Sequence, residues 1–547
     1  MNYSVHLTSN WLTLKSGEHY LYVLSNRGEH LKESGKVTFR NLLDDLVHRM
    51  VPEAMMALLG RDEYAHLTLI YIHGRVCLLK SDIIRTYPVL YSRNGDSISV
   101  SDHLVYDTDE AAGSEALLQM AGTGMVFGDN TVYDGIKSLQ AGEMLLFNGE
   151  ERTNSRFFSY ACDNPPVWSD PASFTEAGKS FDRLFQSVMQ EIIDSIPEHG
   201  RIVIPLSGGH DSRLLVNYLY RLGYRNVLCY TYGTPGNLQA SLSRRVATAL
   251  GYEWIFIEYT EAKWEQLNLN RELDRYLDFA FRGTSTPHIQ DFLAVYEMKQ
   301  KQILQTGDVF IPGHALDFIV GSHIKPVDFE CTDKERAVRR VVHKFSEKTI
   351  HGSLESKSLG ERVSTVYDRA DVPPDQFQDY FNWQERQAKF IANSFRVYEY
   401  FGYETRIPFW DIRLIRFWLS VDPELKMSRK FFFDMEKESL LADEIIRIPF
   451  FDDIIRKRQR TGAYKKMIPA FLVTILVRIL RRKHILDEGL NMIFALRAGS
   501  VGELIGPADK WPANLRPLFE NDLKRYPYQT EAHFLTGLYT IRKLVLK

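Results

Sequence analysis

The chain is poor in the features that would classify it quickly. Its 547 residues include only four cysteines, Cys77, Cys162, Cys229 and Cys331, with no C-x-x-C spacing. That argues against a zinc site or a disulfide framework and fits a reducing, cytoplasmic setting. A membrane span needs about 18 consecutive apolar residues. The most apolar stretch, residues 467–477, is shorter, is closed by Arg478 and then Arg481-Arg482-Lys483, and is read as a buried helix. The opening M-N-Y-S-V-H-L-T-S-N has neither a basic head nor an apolar core, so no secretory signal is expected. An excess of one charge is missing too. With a formal net charge of −3, there is no electrostatic reason to expect a nucleic-acid or membrane partner.

What remains is an ordinary globular composition, 44% hydrophobic and 25% charged, on a chain long enough for two or more domains. Up to residue 165, short β-like runs at 20–25, 67–73, 76–80, 97–101 and 143–147 alternate with helical patterns at 39–59 and 113–121. A polar, proline-rich linker, D-N-P-P-V-W-S-D-P, covers 163–171. A long amphipathic helix is expected beyond it, over 174–196, with Phe181, Leu184, Phe185, Val188 and Ile192 on its buried stripe.

The most informative stretch is R-I-V-I-P-L-S-G-G-H-D-S-R, residues 201–213. An apolar run ending at Leu206 breaks into Ser207-Gly208-Gly209, and a helical pattern starts at Ser212, which reads as strand, tight turn, helix. Such a turn accepts an anion. The glycines let backbone approach a phosphate, Ser207 and Ser212 add hydroxyls, the helix N-terminus adds free N–H groups, and Asp211 is a hard oxygen ligand for a divalent ion. No lysine follows in Walker spacing. Strands at 226–232 and 254–259, with a helix at 238–250 between them, extend this to β-α-β-α-β and a parallel sheet, whose ligands lie at the carboxyl ends of the strands. Tyr232 and Gly233 end the second strand there.

S-G-G-x-D-S after a buried strand resembles the pyrophosphate loop of the N-type ATP pyrophosphatases, the asparagine synthetases among them. D-V-F-I-P-G-H-A-L-D-F-I-V-G-S-H, residues 308–323, is similar to the second site segment of that family. The resemblance implies ATP and Mg²⁺ as cofactors, nucleotide contacts from Leu206, Ser207, Gly208, Gly209, Asp211, Ser212, Tyr232, Gly233 and Gly313, and metal held by Asp211 with Asp317. It puts His314 beside the reacting acyl group and a catalytic lysine in the basic loop 456–466, with Lys457 first and Lys465 next. Ala315 and Leu316 replace the small residues usual there. Glu404, Arg406 and Asp411, in G-Y-E-T-R-I-P-F-W-D, match a further motif and are expected to form a buried polar set.

L-L-K-S-D-I-I-R-T-Y-P-V-L-Y-S from Leu78 and the segment from Met125 to Phe147 resemble class II glutamine amidotransferase domains. Those domains use a cysteine exposed after Met removal, whereas position 2 here is Asn. Three regions are therefore expected: residues 1–165 as a degenerate N-terminal-nucleophile (Ntn) αββα sandwich without glutaminase chemistry, 172–466 as a parallel-sheet α/β ATP pyrophosphatase domain of the adenine nucleotide α-hydrolase (HUP) kind, and 467–547 as a helical extension. The implied activity is amide formation through adenylation of a carboxylate, with ammonia or an amine as acceptor, in the cytoplasm, with no membrane span and with a homodimer left open. W-Q-E-R-Q-A-K-F and P-G-H-x-x-D-F resemble asparagine synthase-related proteins of surface-polysaccharide loci, which favours a saccharide carboxylate. The rival readings are a peptide or lactam cyclase and a non-catalytic nucleotide-binding regulator.

Overall fold

The computed structural model describes residues 2–8, 10–49, 51–104, 113–162, 165–170, 173–346 and 356–454. Lys457, Lys465 and the expected extension over 467–547 lie outside these residues.

Ten strands belong to the first part of the chain: β1 (Asn2–His6), β2 (Leu12–Ser16), β3 (His19–Ser25), β4 (Leu67–His73), β5 (Val76–Lys80), β6 (Leu90–Asn94), β7 (Ser97–Ser101), β8 (Lys137–Ser138), β9 (Glu143–Asn148) and β10 (Glu151–Arg156). They form a six-stranded sheet, β10-β9-β5-β4-β3-β2, and a four-stranded sheet, β1-β7-β6-β8. Leu24, Ile70, Leu79 and Leu145 of the larger sheet pack against Tyr91, Ile98 and Val100 of the smaller one. On its other face Leu21, Leu69, Leu78 and Leu146 meet Phe39, Leu42, Leu46 and Leu59 of helices α1 (Glu33–Arg49) and α2 (Pro52–Leu59). A strand covered on both faces is apolar along most of its length, as β4 is. The single helix read at 39–59 is in fact two, because Pro52 starts a new first turn, where its missing N–H costs nothing. Helix α3 (Ser114–Thr123) follows.

The second part opens with α4 (Phe174–Ser195), which buries Phe181, Phe185 and Val188; Leu184 and Ile192 are only half-buried. β11 (Ile202–Pro205), α5 (Asp211–Arg221), β12 (Val227–Gly233), α6 (Leu238–Ala249), β13 (Glu253–Glu258), β14 (Val309–Phe310) and β15 (Glu404–Thr405) then build a five-stranded sheet, ordered β13-β12-β11-β14-β15 and parallel throughout. The chain leaves β11 for β12 on one side and later enters β14 on the other. The order reverses between β11 and β14, and the crevice outside the carboxyl ends of such a pair is where open α/β sheets place ligands.

The two parts are locked together by a π-helix, Asn382–Ile391. Trp383 donates to the Ile83 carbonyl and Gln384 to that of Ala141. Lys389 donates to the Val126 and Gly128 carbonyls and to Glu385, which accepts from the Gly128 N–H. From the opposite side Arg85 donates to the Ala388 carbonyl and to Thr284. No helix among the described residues is long and apolar enough to cross a membrane.

Candidate functional site

β11 and β12 are consecutive buried apolar runs that pair Pro205 with Tyr230, and the Tyr230 carbonyl accepts the Leu206 N–H at 2.8 Å. The chain then turns. The Ser207 N–H donates to Ser212 Oγ at 3.0 Å, the two hydroxyls lie 3.2 Å apart, and the Gly209 N–H donates to Ser207 Oγ at 3.2 Å. These bonds hold Ser207, Gly209 and Ser212 at the N-terminal end of α5, with Asp211 as its first residue. A carboxylate is favoured at that end by the helix dipole.

The loop after β14 arrives against this turn. A Cβ on Gly313 would meet the Ser212 nitrogen at 2.8 Å and its Cα at 3.1 Å, so only glycine lets the two loops approach this closely. Four residues on, the Asp317 N–H donates to Asp211 Oδ2 at 3.2 Å. Burial, and then the Asp317 carboxylate beside it, push the Asp211 carboxyl well above the usual range. Two acidic residues set side by side could hold a divalent cation. Among the described residues no group of three or more His, Cys, Asp or Glu could hold a metal. A pair of carboxylates is a set that Mg²⁺ commonly takes, with its other ligands drawn from phosphate and water.

His314 lies between Gly313 and the strained Ala315, whose φ of 80° is left-handed without being glycine. Its ring centroid is 6.3 Å from that of His288 and 5.7 Å from that of Phe395. Burial lowers its pKa, opposed by the charges of Asp291 and Asp317, so the imidazole is neutral near pH 7. Tyr232, next to last in β12, has its ring stacked on Tyr259 at 4.9 Å. Gly233 follows at φ 134°.

Several groups gathered here went unread in the sequence. Asp291 accepts from Tyr230 at 3.2 Å and from Tyr398, and its charge reaches Tyr232 and His314. No motif marks it, because its partners come from positions 61 and 107 residues away. Arg429 is the cation that draws the Asp211 pKa down; it bonds to Asp452 at 3.1 Å and follows Ser428 in a second left-handed position. The segment before residue 455 also crosses the turn. The Phe451 N–H donates to the Gly208 carbonyl at 3.0 Å, Phe450 stacks on His210 at 3.7 Å, and Arg213 donates to the carbonyls of Ile448 and Pro449.

Glu404, Arg406 and Asp411 do not form one set. Arg406 pairs with Glu404 at 2.6 Å, whereas Asp411 pairs with Arg27 and Arg413, each at 2.8 Å. Glu404 stands alone in that pairing because Asp411 turns toward the N-terminal part, where Arg27 waits. Arg406 and Asp411 line a separate cleft of about 330 Å³ between the two parts of the chain, which shares no residue with the phosphate turn.

No family model matches the chain, and no curated protein matches it. Among solved structures it is similar to a glutamine phosphoribosylpyrophosphate amidotransferase from B. subtilis complexed with ADP and GMP, at 11% identity and a TM-score of 0.14, over 57% of this chain and 60% of that one. The chain thus spans less than two thirds of that protein, and a likeness of this size carries no argument about activity. The site's chemistry rests on its residues: a serine–glycine turn at a helix N-terminus, a pair of acidic residues and a histidine of lowered pKa at the switch point of a parallel sheet.

Proposed function

We propose that the chain is an ATP-dependent, amide-forming ligase of the asparagine synthetase-like kind. It would pair an Ntn-type sandwich that lacks glutaminase chemistry with an ATP pyrophosphatase domain of the HUP kind. The observation that carries this reading is the meeting of S-G-G-x-D-S and Asp317 across the β11/β14 switch point, with the Asp317 N–H bonded to Asp211. Ser207, Gly208, Gly209, Ser212 and the first N–H groups of α5 receive the polyphosphate, and Leu206, Tyr232 and Gly233 flank the nucleoside. Asp211 and Asp317 hold Mg²⁺, which when bound neutralises the charge that develops on departing pyrophosphate. His314, neutral through burial, takes the proton of the attacking amine or ammonia as it displaces AMP from the activated carboxylate. Arg429 adds a fixed positive charge near Asp211. A saccharide carboxylate is the favoured substrate, from the wording of W-Q-E-R-Q-A-K-F; a peptide or lactam cyclase would use the same residues on another acid.

A non-catalytic nucleotide-binding role is the second reading. It is favoured by Phe450 and Phe451 packed over the turn and by Ala315 in a left-handed position. Pyrophosphate release from ATP·Mg²⁺ across a panel of uronates, amino acids and peptides separates the two. Release with one acid class, abolished in Asp211→Asn, is expected. ATP binding with no release from any acid selects the regulatory reading.

A further inference from the structure

Four side chains of the π-helix Asn382–Ile391, those of Trp383, Gln384, Glu385 and Lys389, bond to the N-terminal part of the chain. Arg386 does not. It has no hydrogen bond or ion pair with any described residue, and its guanidinium rests on the Phe390 ring at 5.8 Å. Phe390 also touches His288 at 5.4 Å, and His288 leads to His314 at 6.3 Å. Arg386 is therefore directed at the carboxylate side of the site; its pKa is lowered by burial and held up by Asp317. Arg386 is half-buried, and shielding an arginine from water without a partner is costly.

A second cation stands nearby. Among the described residues Lys344 reaches only the His323 carbonyl, at 3.5 Å. Burial brings its pKa down to about 8, and the charge of Arg386 is felt there. The other charges of this corner are matched: Arg340 with Asp328 at 2.6 Å and His323 with Asp379 at 2.7 Å. His323 stacks on Phe318, the neighbour of Asp317, at 4.4 Å, and its buried Nδ1 has no partner among the described residues. Once Asp317 serves a cation, Arg386 and Lys344 keep no ion pair among the described residues, although the charges of Asp379 and Asp328 reach Lys344.

The geometry points to an anion pocket formed by Arg386 and Lys344 beside the His314–Asp317 loop, which takes a second negatively charged group of the substrate, a phosphate or a carboxylate. This rests on the adenylation reading: one carboxylate of the substrate is activated at the phosphate turn while the second group is clamped here, and an arginine suits either anion through its planar donor pair. The substrate class is thus a dianionic acid.

Calorimetric titration of the full chain, with Mg²⁺ and a non-hydrolysable ATP analogue present, tests it with three probes: glucuronate, glucuronate 1-phosphate and glucarate. One dianion is expected to bind on the order of 10- to 100-fold more tightly than glucuronate. Preference for the 1-phosphate assigns a phosphate, and preference for glucarate a carboxylate. Arg386→Gln should remove that advantage, Arg386→Lys should restore part of it, and Lys344→Met should remove a smaller share, with glucuronate and analogue affinities unchanged. Equal affinity for all three probes, no binding of either dianion, or an Arg386→Gln chain that keeps the advantage overturns the pocket. Failure of the analogue itself to bind overturns the adenylation reading instead.

Discussion

Two sets of charges, one buried and one at a crevice, teach opposite lessons. In the π-helix, Glu385 and Lys389 are almost completely buried, 0% and 1% exposed, yet each charge meets an opposite charge and backbone groups across the interface. At the β11/β14 crevice, the charge of Asp317 bears on Asp211, which its N–H also binds, and Arg386 has no partner among the described residues. Satisfied charges hold the fold together. Unsatisfied ones, aimed into a crevice, define what must bind there.

The largest effect should come from breaking the satisfied set. Lys389→Met leaves the Glu385 charge without its cation and two carbonyls without their donor, and should destabilise the protein by about 3–5 kcal/mol, read from the denaturant midpoint; wild-type stability would erase the distinction. Asp317→Asn should do the reverse, lowering pyrophosphate release on the order of 10³-fold while the melting temperature holds or rises, because the charge that bears on Asp211 is removed. A pH series sharpens the contrast inside one pair. Burial raises Glu436 from 4.5 to about 8 and lowers its partner His210 to about 3. Folded Glu436 keeps a proton that the unfolded chain releases, so its contribution is complete below pH 4.5 and is lost as pH rises toward 8, by up to about 1.4 kcal/mol per pH unit. His210 acts oppositely, costing stability as pH falls below 6.5. Glu436→Gln should flatten the alkaline limb and leave the acid one in urea titrations. The smallest expected effect is that of Ala315→Gly, which relieves a left-handed alanine and should raise stability by about 0.5–1 kcal/mol; a loss would mean that φ 80° carries no strain.

Apolar patterning made much of this fold legible. β4, β5 and β7 occupy the expected residues, and the β-α-β-α-β run fell within a residue or two at each end. β10, E-R-T-N-S-R, could not be read that way, because it is a polar edge strand with no buried face. β14 is two residues long and is recognisable only by the glycine loop after it. Within the site, Asp211 and Asp317 were legible because each sits in a spaced motif. Asp291 and Arg386 were not, since the charge of an isolated residue acquires meaning only from neighbours that folding brings from elsewhere. Glu404, Arg406 and Asp411 show the converse: closeness in sequence suggested one cluster, and Arg27, 384 residues from Asp411, divided it.

The reversal of strand order between β11 and β14 also sets a sequence of events during synthesis. The phosphate turn is complete by residue 213, but its facing carboxylate is made about a hundred residues later, and β15, which flanks β14, about ninety after that. Contacts this distant close slowly. A nascent chain therefore exposes the serine–glycine turn and Asp211 long before Asp317 and the strand that backs its loop exist to meet them.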